Sequence, residues 1–297
     1  MRRVFYTDHL VLPLPPQHRF PIQKYRLLRQ LLNGNGSFLF EPAPLADVGT
    51  IELVHKRDYV EAFLSGTLGE AAMRRIGFPW SEGLVMRTLA SVGATLAATR
   101  EALATGWSGT LAGGTHHAFA GEGSGFCVFN DIAVAARWAQ ANANVGRIAI
   151  VDLDVHQGDG TAHIFRDDAS ILSLSLHCKA NFPLRKQQST IDVELDVGVE
   201  DEEYLRILTE TLPAVWDFDP KMVFYQSGVD GLASDRLGRL KLTHTGLRER
   251  DRIVMRGVRE LDVPFVITIG GGYSEPIELT ADAHANTFRV AREVFGS

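Results

Sequence analysis

The sequence predicts an α/β architecture, a mostly parallel sheet with helices on both faces. Three observations carry this. Short apolar runs rich in Val, Ile and Phe recur along the chain, and continuous runs of that kind suit strands buried on both faces. Amphipathic stretches of helical period separate them. Their alternation calls for crossover connections, hence parallel strands. The expected strands are Arg3–Tyr6, Ile51–Val54, Gly109–Ala112, Ile148–Val151, Ile171–Leu176, Met222–Gln226 and Phe265–Ile269. The expected helices begin with the Ala- and Leu-rich Ser91–Ala104. Asn130 is placed to cap Asp131–Ala141, Asp201 to cap Glu202–Leu212, and Thr245 to cap Gly246–Leu261. A last helix is expected from about Ala281 to Phe295, and the polar segment Phe182–Ile191 reads as an exposed loop. No repeat or composition shift divides the chain, so one domain over residues 1–297 is expected.

Composition narrows the function classes. Of 297 residues, 45 % are apolar and 22 % charged, which is ordinary globular usage. The net charge is −6 and no basic block stands out, which argues against phosphate-backbone binding and so against a nucleic-acid partner. Two cysteines make no disulfide framework and fit a reducing compartment. No segment reaches the roughly 20 apolar residues of a membrane span. Asp8, His9, Pro13, Pro15 and Pro16 interrupt the apolar start before a signal core forms, so a cytoplasmic location is expected.

Ligands of open α/β sheets bind beyond the carboxyl ends of the strands, so the residues just after each strand are informative. The expected strands lead in turn into Gly113-Gly114-Thr115-His116-His117, the string from Asp152 to Gly160 (DLDVHQGDG), Ser227-Gly228-Val229-Asp230 and Gly270-Gly271-Gly272-Tyr273; Ser175 and His177 close another. Alternation along an extended chain puts Asp152, Asp154 and His156 on one side. Asp154 and His156 then reach one ion together, and Asp230 is available as a third ligand. One imidazole and two carboxylates with an open position suit catalytic Zn²⁺. Taken singly, Asp152 suits a turn or a helix cap as well. The adjacent His116 and His117 can hold different pKa values if their carboxylate partners differ, and Asp152 and Asp159 are available as those partners. Triple glycine lets the backbone turn tightly beside a ligand, and Tyr273 carried on it can donate to a developing oxyanion.

The set GGTHHAF, GSGFCVFND, DLDVHQGDG, SLSLH, SGVDGL and GGGY, in this order from about residue 18 to 275, resembles the zinc-dependent histone deacetylase superfamily. The resemblance implies an arginase–deacetylase fold with an eight-stranded, mostly parallel sheet. It implies Zn²⁺, with Fe²⁺ as the alternative, on Asp154, His156 and Asp230. It pairs His116 with Asp152 and His117 with Asp159, makes His117 the main general base and acid, and has Tyr273 polarise the substrate carbonyl. Gly125 matches the carbonyl that accepts the substrate amide, Phe126 and Phe182 match the walls of an acyl-lysine tunnel, and Gly271 and Leu237 fall among the substrate-contacting positions. A structural K⁺ site matches the backbone of Asp152, Asp154 and His156 with Ser175 and Leu176.

Two details refine the branch. Gln157 after His156, and SDRLGRLKLT beyond Asp230, resemble class IV members, which remove long fatty acyl groups from lysine; Asp159 stands where that class has Asn. Leu237 occupies the position at which polyamine deacetylases carry a Glu. The expected reaction is therefore removal of an acetyl or longer acyl group from acyl-lysine by metal-activated water. The alternatives are an acetylpolyamine or other small-amide deacetylase, and an acyl-binding protein without turnover. A binuclear ureohydrolase needs a carboxylate two residues after His156, where Gly158 stands. Oligomeric state is left open.

Overall fold

Among the described residues, eight strands form one sheet in which every neighbouring pair is parallel. In chain order they are β1 (Arg2–Tyr6), β2 (Phe38–Pro42), β3 (Trp107–Thr110), β4 (Ile148–Asp152), β5 (Ile171–Cys178), β6 (Ile191–Leu195), β7 (Met222–Gln226) and β8 (Phe265–Thr268). The spatial order is β2-β1-β3-β8-β7-β4-β5-β6. The computed structural model describes residues 1–34 and 36–296.

Continuous apolar runs make the central strands because both faces are covered. On β4, Ala149 and Val151 join one core and Ile148 and Ile150 the other; on β7, Val223 and Tyr225 oppose Met222 and Phe224 in the same way. The period of two thus splits each run between two helical layers. Helices Gln23–Asn33, Asp201–Trp216, His244–Leu261 and Ile277–Phe295 contribute to the first core, and Glu82–Thr105 and Asp131–Ala143 to the second.

The structure corrects several sequence expectations. Ile51–Val54 is no strand: the Asp47 side chain accepts from the Thr50 N–H and starts the short helix Val48–Ile51, after which the chain turns. A four-residue segment, Ile-Glu-Leu-Val, is too short for a period of its own to prevent this. The edge strands β2 and β6 lie outside the expected set. Both are half-buried, and β6 reads I-D-V-E-L, an alternation weaker than the central runs. Thr243, not Thr245, caps the helix that starts at His244, accepting from the Gly246 N–H. Asp201 does not cap; it is the first residue of its helix, and its carboxylate accepts from the Thr243 N–H and hydroxyl. The stretch Phe182–Ile191 is irregular and largely exposed as expected, with only its last residue in β6, and it is anchored from below. Gln157, fully buried beneath it, donates to the Gln187 carbonyl and Asp192 and accepts from the Gln187 N–H.

Asn130 caps the helix Asp131–Ala143 as expected, accepting from Ala133 N at 3.0 Å. It also donates to Thr161 Oγ1 and the Ala118 carbonyl, and it has no exposed surface. Asn130→Ala should therefore cost about 2–4 kcal/mol, a cap plus stranded buried partners. A denaturant midpoint shift at unchanged m-value measures it; a loss under about 0.5 kcal/mol would contradict that role.

Candidate active site

The five strands β3, β8, β7, β4 and β5 lie side by side in the middle of the sheet, and their carboxyl ends carry the residues singled out above. Sequence segments up to about 160 residues apart are thereby delivered to one place.

After β4, the chain brings His156 Nδ1 to 3.1 Å from Asp154 Oδ1 and 3.1 Å from Asp230 Oδ2, the latter carried by the loop after β7. One ligand atom from each of the three lies within 4.8 Å of the others. The carboxylates are fixed from behind: Asp154 accepts from the Gly271 and His156 N–H groups, and Asp230 from the Val155 N–H. Gly271 is required here, because a Cβ at that position would stand 2.0 Å from Asp230 Oδ2. Burial first, and the Asp154 charge second, push the Asp230 carboxyl up to about 7. Two buried carboxylates around one imidazole, with so little countercharge, form a site whose cost a cation would relieve. Ligand atoms 3.1 Å apart are also close to the edge of about 3.3 Å expected for tetrahedral Zn²⁺ with 2.0 Å bonds. The residues present therefore fit such an ion.

The two histidines follow β3 and lie with ring centroids 4.1 Å apart. His116 Nδ1 is 2.7 Å from Asp152 Oδ2 and His117 Nδ1 is 2.6 Å from Asp159 Oδ1. Asp159 opens the helix Asp159–Phe165, and all four side chains are buried. Burial works against charge on His116, but Asp152 and Asp154 outweigh it and lift its pKa to about 9. Burial, reinforced by the charge of His116, lowers His117 to about 4. Neighbouring imidazoles of opposite protonation are thus produced by environment alone.

These groups border a cavity of about 450 Å³. Its wall includes Gly125, Phe126, Phe182, Leu237, Gly271 and Tyr273. Phe126 and Tyr273 lie with centroids 6.2 Å apart, and the Phe182 ring meets the His117 ring edge-on at 4.9 Å. Phe182 and Leu237 stand at the mouth, 42 % and 37 % exposed. Gly125 has φ +52°, and a Cβ there would stand 2.8 Å from the His117 ring, so the turn requires glycine. Burial raises the Tyr273 phenol well above its usual pKa, keeping it a donor. In the register of β4 and β5, Asp152 faces Ser175, with Leu176 next along the strand.

Several positioning groups were given no role by the sequence, although Asp131 closes the string GSGFCVFND and Asp235 lies in SDRLGRLKLT. Asp131 is buried and accepts from the Gly114 and Thr115 N–H groups, holding the turn before the histidines. Asp235 accepts from the N–H groups of Tyr273, Leu237 and Gly238. Lys24 and Arg87 are buried against the cavity, and Lys24 Nζ donates to the Gly270 carbonyl at 3.0 Å. A signal for Lys24 existed: it shares the buried stripe of its helix with Tyr25, Leu28 and Leu32.

Comparison with known proteins places these features in a wider group. Residues 18–290 match the family model of the histone deacetylase domain. The chain is 46 % identical to an uncharacterized protein of Picosynechococcus sp., over 98 % of this chain and 99 % of the other. It is 36 % identical to histone deacetylase 2 of Arabidopsis thaliana over 67 % of its own length, spanning about half (52 %) of that protein. It is 31 % identical to the acetoin utilization protein AcuC of Staphylococcus aureus, over 90 % of this chain and 75 % of that one.

Proposed function

Because the chain belongs to the histone deacetylase family, and is in that sense a hydrolase of amides, we propose that it removes acyl groups from the side-chain amine of acyl-lysine. The observation that carries the reading is the convergence of the Asp154–His156–Asp230 cluster, the His117–Asp159 pair and the Tyr273 phenol on one cavity. Zn²⁺, or Fe²⁺, held by Asp154, His156 and Asp230 would supply Lewis-acid polarisation of the amide carbonyl and a water of lowered pKa.

The chain's own groups do the rest. Burial favours the neutral form of His117, and its Nδ1 is occupied by Asp159, which leaves Nε2 to take a proton from the attacking water. His116, kept charged by Asp152, faces the negative charge that develops. Tyr273 donates its hydroxyl proton as a hydrogen bond to the carbonyl oxygen, and the Gly125 carbonyl accepts from the substrate N–H. His117 then returns the proton to the leaving amine nitrogen, giving a free amine and a carboxylate. The buried cations Lys24 and Arg87 offer that carboxylate a favourable path from the centre. The K⁺ site is proposed at the adjacent ends of β4 and β5, on the backbone of Asp152, Asp154 and His156 with Ser175 and Leu176.

A cavity of about 450 Å³ lies in the range of sites for drug-sized ligands and has room for a lysine stem together with an acyl group of more than two carbons. Together with Gln157, this favours acyl chains longer than acetyl, as in a class IV-like enzyme. The apolar Leu237 at the mouth disfavours a polyamine, whose cationic amines want a carboxylate. The test is kcat/KM of the zinc-loaded protein on one peptide carrying acetyl-, octanoyl- or myristoyl-lysine, with acetylspermidine alongside. Efficiency should rise with chain length and be lowest for the polyamine. Preference for acetylspermidine would overturn the substrate assignment, and absence of any turnover would favour an acyl-binding protein.

A further inference from the structure

In the sheet, β7 and β5 flank β4, so the loops that leave their carboxyl ends straddle the loop carrying His156. One side chain ties the two outer loops together across it. Asn181, on the loop after β5, is only 4 % exposed. Its Nδ2 donates to the Leu237 carbonyl at 2.6 Å, and its Oδ1 accepts from the Arg239 N–H at 3.1 Å. Both partners belong to the loop after β7. These two bonds fix the orientation of the amide, and Nδ2 then lies 3.4 Å from His156 Nε2 on the side away from the carboxylates. The amide's hydrogen-bonding capacity is largely used up within the protein, which explains a buried Asn at this place.

The residues joined by this bridge are those that frame the cavity mouth. Phe182 is the next residue along the chain, and Leu237 supplies the accepting carbonyl. Lys186 Nζ donates to the Asn181 and Pro183 carbonyls, so the loop is also tied to itself behind Phe182. We propose that Asn181 sets the separation of Phe182 and Leu237, and so acts as a positioning residue that determines which acylated amine stem the mouth accepts. The proposal rests on the deacylase reading, since it assumes that the acylated side chain enters between those two residues. Asn181 touches no reacting atom in this scheme. It acts through the two rim residues.

The test compares zinc-loaded wild type with Asn181→Ala and Asn181→Asp. The aspartate keeps the size and the acceptor for the Arg239 N–H but cannot donate to the Leu237 carbonyl. On an acyl-lysine peptide, both variants should raise KM about tenfold while kcat falls by less than about threefold, the effect of one lost positioning hydrogen bond. Zinc affinity, read by chelator competition, should stay within about threefold, because an outer-shell metal role would cost roughly 10–100-fold. Hydrogen exchange of the Arg239 amide should accelerate about tenfold in the alanine variant only. An unchanged KM alongside lost Arg239 protection overturns the proposal, as does a loss of zinc affinity at unchanged KM, which would place the effect on His156. Wild type that turns over no acyl-lysine peptide overturns the deacylase reading and this proposal with it. Wild-type turnover with unaltered KM in the variants overturns the proposal alone.

Discussion

Tyr273→Phe should lower kcat by about 10²–10³-fold, the scale of one lost oxyanion donor, with KM changed by less than about threefold. The substitution removes the hydroxyl alone. The phenylalanine ring keeps its neighbours, Phe126 with its centroid 6.2 Å away and Lys24 Nζ 5.4 Å from the ring centroid. The backbone is held independently, since the Tyr273 N–H donates to Asp235 at 2.6 Å. Zinc affinity should therefore be unaffected, which separates loss of a donor from loss of the site. Steady-state kinetics beside chelator competition on the same preparation give both numbers. A kcat within threefold of wild type would remove Tyr273 from the proposed chemistry.

Asp230→Ala should abolish tight metal binding. One of three ligand groups is removed, and the loss should exceed the roughly 10–100-fold that outer-shell partners cost. The remaining Asp154 and His156 are held in place by contacts that do not involve Asp230, including the Gly271 N–H on Asp154. The variant therefore retains a partial site, and weak binding at high zinc should be measurable. Asp230→Asn is the folding control, since it keeps an oxygen for the Val155 N–H and removes the charge. Metal content after dialysis, measured on both variants and wild type, decides the matter. Full zinc occupancy in Asp230→Ala would refute the ligand set.

The fold was largely legible because its central strands are buried on both faces, and a continuous apolar run such as Met222–Gln226 leaves little choice of structure. Legibility failed at the edges. β6 alternates half-buried and exposed residues over most of its five positions, and Ile51–Val54, apolar but for Glu52, follows a capping Asp47. The gathering of residues at the strand ends was also legible, because parallel strands all deliver their ends to one side of the sheet. The supports were not. Asp131 and Asp235 stand in the strings GSGFCVFND and SDRLGRLKLT, but no periodicity or spacing shows that they, like Asn181, accept from or donate to backbone groups of distant loops. Gln157 stood in the sequence as a mark of one branch, and only the fold shows it holding the segment behind Phe182. Thr243, not Thr245, is the cap, and its N–H and hydroxyl donate to Asp201, a partner remote in sequence.

Every proposed step depends on one metal ion held by Asp154, His156 and Asp230 in this cavity. A titration of metal-stripped protein with Zn²⁺ reads that dependence, following release of free lysine amine and carboxylate from an octanoyl-lysine peptide. There should be no turnover without metal, and a linear rise that ends at one equivalent per chain. Turnover that survives complete metal removal, or none at full occupancy, would show that the three ligands do not enable amide hydrolysis.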